Sequence, residues 1–450
     1  MTMPSTSIRQ NVFYSVLDYV SQPAIMLIAA PLLLRTLGVQ QYGTWMLVNS
    51  IAATASGLGG GFGDGATKYV SMYRSSGDHN GAMRSVAAVL AVNCAFGLLS
   101  AVVMIACAPW LIGHVFAVGP NLRHAGIVAL RVSAALLVVR FAEAVFTCAL
   151  RGCEQYRPMV AISVVARTSV TLSALALALR GHGLIAIFWA TLAIGLLSLA
   201  CQAWLAHRTL KTDGSWHALD LRTGIRDVFS FGAFTWLKST FGILTGYADR
   251  LLVAGLLGTG PLAFYALCNQ LTQPIHALMA SAFNFIFPNF SAQTASGRWS
   301  ETAHRYRVAS ASATLVVLTI CATMIAGAKT ILRLWLGNAV AGQYHGLLIA
   351  MVIGNGLLAL SVVPHYAALA LGRSRALVFV NLGAGVLSLA VAYILIRSVG
   401  LMGAGFAKII AGAVFLSVFG IVRRALKDGG STVRSPNRSA AAAGTLDLAQ

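Results

Sequence analysis

Apolar runs long enough to cross a lipid bilayer recur from near the start of this chain to about residue 423, with little sequence between them. A helix of about 20 apolar residues spans the hydrocarbon core. Inside lipid every backbone N–H and C=O must be satisfied within the protein, which leaves helices or a closed barrel. Barrel strands alternate apolar and polar residues over segments of about ten. These runs are apolar all round, so the chain reads as an all-α integral membrane protein. Only 10% of its 450 residues are charged and 58% are hydrophobic, whereas a soluble domain carries about 25% charged residues.

Twelve transmembrane helices are expected, near 11–34, 43–66, 85–108, 126–150, 158–180, 184–206, 229–256, 262–290, 307–328, 343–371, 376–396 and 404–423. The longest polar break divides them six and six. The expected domains are an N-terminal six-helix bundle over 1–206, a cytoplasmic linker over 207–228, a C-terminal six-helix bundle over 229–425, and a disordered cytoplasmic tail over 426–450. The halves align at an offset of 220: "LGVQQYGTWMLVNS" (37–50) lies over "LGTGPLAFYALCNQ" (257–270), and Gly77 over Gly297. Six spans is an even number, so the repeat is parallel, with its axis along the membrane normal. Such a 6+6 plan suits two bundles around a cavity and an alternating-access cycle.

The formal charge of +20 does not point to nucleic acid. Lys and Arg fall mainly in one alternate set of loops, from Arg9 through Arg74, Arg151, Arg208, Arg298 and Arg373 to Arg424. Basic loops stay in the cytoplasm, which puts both termini there. The seven cysteines lie mostly in apolar runs and form no CxxC. They read as small packing residues, and neither a metal site nor a cofactor is expected.

The stretch "GLGGGFGDGATKYV" (57–70) contains a G-x-G-x-x-A pattern. A dinucleotide fingerprint needs a strand before it and a βαβ unit around it. Here an apolar span precedes the glycines and a basic loop follows. The better reading is close helix packing or a hinge, because small residues let backbones approach in lipid. "GAKT" at 327–330 fails as a phosphate loop, since no glycine directly precedes Lys329.

Charges within spans are costly and usually face a bundle interior or a wet cavity. Asp18, Asp64, Arg140, Glu143, Arg167 and Lys238 fall in one layer, towards the cytoplasmic ends of their spans. Arg140, Arg167 and Lys238 form a candidate cationic cavity for a phosphate-bearing substrate. Guanidinium grips phosphate oxygens in a fork, and lysine offers a compact charge. Asp18, Asp64 and Glu143 are candidates for coupling or gating. Arg140 and Glu143, three apart, can face the same way. Asp18 and Lys238 are repeat mates of opposite sign and are expected to meet across the cavity. Asp249 and Arg250, towards the outer end of the seventh span, are expected to contribute to an outer gate.

The pieces "LRTLGVQQYGTWMLVNSI", "GFGDGATKYVS" and "YADRLLVAGLLGTGPLAFYAL", with the 6+6 plan over about 8–425, resemble the Wzx-type flippases of O-antigen and exopolysaccharide. These belong to the multidrug/oligosaccharidyl-lipid/polysaccharide exporter superfamily. The resemblance implies a MATE-like, V-shaped pair of bundles. It also implies a polyprenyl-diphosphate-linked oligosaccharide moved from the cytoplasmic to the periplasmic leaflet of a bacterial inner membrane. Membrane lipid, a polysaccharide polymerase and chain-length proteins are the implied partners. A proton- or sodium-coupled multidrug exporter is the alternative, and should present an acidic or aromatic pocket. A membrane enzyme needs a large outward loop with catalytic groups. The longest such loop, about 109–125, offers only His114, Arg123 and His124.

Overall fold

Gly38 breaks the first long helix. Its φ of 76° and ψ of 164° belong to a region open essentially to glycine, so the chain turns sharply inside α1 (Ser5–Ser56). The computed structural model describes residues 5–57, 62–116, 118–210, 240, 242–244 and 246–433. Helices follow as α2 (Phe62–Ser75), α3 (His79–Trp110), α4 (Pro120–Gly152), α5 (Tyr156–Leu179) and α6 (Leu184–Leu210). Next come α7 (246–257), α8 (Thr259–Phe283), α9 (Ile286–Ala295), α10 (Trp299–Leu336) and α11 (Asn338–Leu360). The last are α12 (Val362–Ala370), α13 (Ser374–Val399), α14 (Leu401–Phe415) and α15 (Ser417–Val433). Among the described residues there is no strand.

Local chemistry sets several boundaries. Asp78 caps α3 by accepting a hydrogen bond from the Gly81 N–H at 2.8 Å, satisfying one of the donors a helix start leaves open. Pro120 opens α4, where its missing N–H costs nothing. Pro364 cannot donate to the carbonyl of Leu360, and Leu360 is where α11 ends.

Nine stretches among the described residues are long and apolar enough to cross a membrane. The chain is therefore a multi-pass helical membrane protein. One stretch, Pro23–Ser56, takes in part of the first and part of the second expected span, on either side of Gly38. The seventh expected span begins outside the described residues, and the eighth is divided between α8 and α9. Large apolar side chains such as Leu98, Leu99, Val102, Val103, Leu196 and Leu197 point outward, as hydrocarbon solvent allows.

Two compact units divide at 267/268, not at the polar break. The first holds α1–α7 and the start of α8. In its core Val70, Met83, Val86, Val145 and Ala149 pack together, and Leu150 meets Met159, Val160 and Ala206. The second unit closes on small residues. A Cβ on Gly412 would stand 2.6 Å from the Gly354 carbonyl oxygen, and one on Gly354 would meet the Lys408 backbone at 2.8 Å. Thus α11 and α14 pack backbone to backbone, the arrangement that dispersion favours in lipid. Helix α15 runs on to Val433, past the expected boundary at 425, burying Val418, Val422 and Ala425 while Arg423 and Arg424 stay exposed.

Positions 220 apart share a backbone conformation twice. Gly38 and Gly258 both take positive φ, 76° and 88°, as do Gly77 and Gly297, at 76° and 71°.

The glycine-rich stretch lies partly outside the described residues, at 58–61. Its first residue, Gly57, accepts a hydrogen bond from Thr240 Oγ1 at 2.9 Å, and a Cβ there would meet Ile243 at 3.2 Å. At its far end Val70 packs against Gly152 of α4. Both contacts are close helix packing.

Candidate functional site

Two charge clusters lie within the first unit. The first joins α1, α4 and α5. Arg167 of α5 pairs through Nη2 with Asp18 Oδ1. Its Nη1 donates to the Asp18 carbonyl at 2.6 Å and to Ser21 Oγ at 2.8 Å. Arg151, in the last turn of α4, reaches the other oxygen, Asp18 Oδ2, at 3.5 Å. One carboxylate thus sits between two guanidinium groups. The Asp18 side chain is only 15% exposed, but that of Arg151 is 42% exposed, so the cluster is open on the Arg151 side. Asp18 therefore finds partners on α4 and α5. Its expected mate, Lys238, lies outside the described residues.

The second cluster is built on α4 and α6. Arg140 Nη1 pairs with Glu143 Oε2 at 2.8 Å, as their spacing predicts. Glu143 Oε1 accepts from Ser198 Oγ at 2.6 Å and from Gln202 Nε2 at 3.2 Å. Gln202 in turn accepts from Thr147 Oγ1 at 2.6 Å. Glu143, Ser198 and Gln202 are all buried, so this carboxylate is well satisfied, as a buried charge must be. Arg140 is different: its side chain is 42% exposed. Ser198 and Gln202 were not foreseen. They are neutral, and a search for charges passes over them, although their spacing of four puts both on one helix face.

Glu143 thus has the surroundings of a helix-to-helix tie. Glu143→Ala removes three bonds, each worth about 0.6 kcal/mol between membrane helices. The purified protein should lose about 2 kcal/mol of stability and melt measurably lower. Glu143→Gln keeps the volume and one acceptor, so it should retain both stability and transport. A stable but inactive Glu143→Gln protein would return Glu143 to a coupling role.

Asp249 and Arg250 lie in α7, away from both clusters in sequence. Asp249 Oδ2 accepts from the buried Tyr265 hydroxyl at 2.6 Å, and Oδ1 from the Arg250 N–H at 2.7 Å. The Arg250 guanidinium lies over the Tyr247 ring, 4.9 Å from its centre. The Asp249–Tyr265 bond ties α7 to α8, and the start of α8 also meets α1. There Thr259 Oγ1 donates to Gln40 Oε1 at 2.8 Å, and a Cβ on Gly43 would stand 1.9 Å from the Thr259 carbonyl oxygen. Residues 246–267 belong to the same compact unit as α1. Asp64 falls in α2, and its side chain lies outside the described residues. Among the described residues no group of His, Cys, Asp and Glu could hold a metal ion.

A model of the family described as "Polysaccharide biosynthesis protein" matches residues 32–342, well over half the chain. The chain belongs to this family. A Shigella flexneri protein named "Putative O-antigen transporter" is 24% identical over 180 residues, 39% of this chain. The match spans 42% of that protein's length. Among solved structures, an inward-facing multidrug resistance transporter of the MATE family, in the MOP superfamily, aligns with a TM-score of 0.75 at 14% identity, covering 92% of this chain and 96% of that one. An outward-facing MATE structure gives 0.64 at 16% identity, covering 94% and 96%. A MOP-superfamily transporter from Pyrococcus furiosus gives 0.58 at 14% identity, covering 94% of each chain. The fold of this polysaccharide biosynthesis protein is thus MATE-like, and the Wzx-type, MOP-superfamily resemblance read from its sequence holds.

Proposed function

We propose that this polysaccharide biosynthesis protein is a flippase. It carries a polyprenyl-diphosphate-linked oligosaccharide from the cytoplasmic to the periplasmic leaflet of a bacterial inner membrane by alternating access. One observation carries the reading. Among the described residues of their clusters, Arg140, Arg151 and Arg167 pair only with Asp18 and Glu143, and the Arg140 and Arg151 side chains are both half-exposed. Surplus guanidinium charge at the half-open edge of these clusters matches a diphosphate, which accepts bidentate, charge-assisted hydrogen bonds. It does not match the cationic cargo expected of a drug exporter.

The proposal includes twelve spans as a parallel 6+6 repeat with both termini in the cytoplasm. The matched glycine pairs support the repeat. From its place in the sequence, Lys238 joins the substrate-binding cations, and Asp64 joins the coupling or gating residues. The Asp249–Tyr265 and Gln40–Thr259 contacts form the outer gate with Arg250. A polymerase and chain-length proteins receive the glycan once it has crossed.

Vesicles containing the purified protein and a fluorescent polyprenyl-diphosphate oligosaccharide provide the test. Protein-dependent exposure of the label to a membrane-impermeant quencher is the expected result. No movement of this lipid, with export of cationic dyes instead, would replace the flippase by a multidrug exporter.

A further inference from the structure

We infer that Asp18 is a resident stand-in for the substrate's phosphate, holding Arg151 and Arg167 together until a diphosphate displaces it. The inference rests on the flippase reading and goes further. It adds Arg151 to the binding residues and gives Asp18 a role opposite to that of a ligand.

The geometry has three parts. First, the two guanidinium groups come from different helices, α4 and α5, and converge on the two oxygens of one carboxylate. A phosphate presents the same planar edge of two oxygens, with a third beyond it. Second, the charges do not balance: two cations face one anion, and this site has no second carboxylate among the described residues. A diphosphate brings at least one more negative charge than Asp18 and satisfies both arginines. Third, the two arginines are held unequally. Arg167 is anchored to the Asp18 carbonyl and Ser21 Oγ, neither of which a ligand need disturb. Arg151 is tied only at 3.5 Å and is half-exposed, so it is free to swing towards an arriving anion. Such a carboxylate keeps the arginines positioned in the empty protein. It also weakens binding, because each incoming anion must first break its ion pairs. A transporter that must release its cargo gains from a returning competitor.

The test uses the full-length protein in phosphatidylcholine nanodiscs, with two probes: inorganic pyrophosphate and a short-chain polyprenyl diphosphate. Asp18→Asn should bind both about tenfold more tightly than wild type, as loss of a competing charge pair worth about 1.4 kcal/mol would give. Arg151→Ala and Arg167→Ala should each bind at least about tenfold more weakly. In the unmutated protein, pyrophosphate should increase the labelling of Asp18 by a carbodiimide, read by mass spectrometry. That measurement needs no folded variant.

Weaker binding in Asp18→Asn, matching Arg167→Ala, would overturn the inference, because Asp18 would then only position the arginines. So would labelling that pyrophosphate leaves unchanged, or an Arg151→Ala protein with wild-type affinity. Displacement of the polyprenyl probe by phosphatidylglycerol at equal concentration would overturn its assignment to the glycan lipid and make the site one for phospholipid headgroups. The flippase reading fails separately. If binding follows the expected order but labelled glycan lipid does not cross vesicles, the stand-in survives and the transport assignment does not.

Discussion

Arg167→Ala should reduce surface glycan to the level of cells lacking the protein, while the variant still accumulates in the membrane. Arg167 makes two hydrogen bonds through Nη1 and an ion pair through Nη2. The Nη1 bonds stay with α1, so the Nη2 contact is the one that passes to a substrate phosphate. A bond to a charged group is worth about 1.5–3 kcal/mol, and losing it lowers affinity by at least about tenfold. Arg167→Lys should recover part of the export, because lysine keeps the charge but has no planar fork. A structural explanation competes: alanine also leaves Asp18 with Arg151 alone, and a stranded carboxylate in an apolar protein is costly. The double variant Asp18→Asn/Arg167→Ala separates the two. Removing the stranded charge restores export if Arg167 only neutralises Asp18, and leaves export at background if Arg167 binds the cargo. Normal glycan in Arg167→Ala itself would sink the anion-site reading.

Residues on one helix were readable from sequence, and residues on different helices were not. Arg140 and Glu143 were paired from their spacing alone, because three residues on a helix return a side chain to the same face. The repeat relates Asp18 to Lys238, which lies outside the described residues, and says nothing about neighbours on other helices. The Asp18 partners, Arg151 and Arg167, follow from α1 packing beside α4 and α5, and that packing is set by apolar side chains with no individual signature. The Gly38 turn was visible as an LG step shared with Gly258, since positive φ selects glycine. The boundary between compact units was not visible. Nor was the close approach of Thr259 to α1, which requires that Gly43 carry no Cβ.

That absent Cβ leads to the second large effect. Gly43→Ala should abolish transport, and Gly260→Ala, in the same contact, should not. The added methyl at 43 would stand 1.9 Å from the Thr259 carbonyl oxygen and 2.6 Å from its carbon. Both are backbone atoms in the first turn of α8, so neither can step aside without moving the helix. At 260 the nearest atom is Gln40 Nε2, 3.2 Å away, the end of a flexible side chain that gives way cheaply. The two variants add the same group to the same contact, so bulk or lost flexibility alone cannot explain a difference. Cysteines placed at 40 and 259 in a cysteine-free background should cross-link readily when the turns meet, because Thr259 Oγ1 and Gln40 Oε1 are 2.8 Å apart. With Gly43→Ala added, the cross-link should be lost together with transport, while the protein stays folded in the membrane. Cross-linking that persists without transport would separate the turn contact from gating. Equal loss in Gly43→Ala and Gly260→Ala would show that the close approach of the two turns is not what the transport cycle requires.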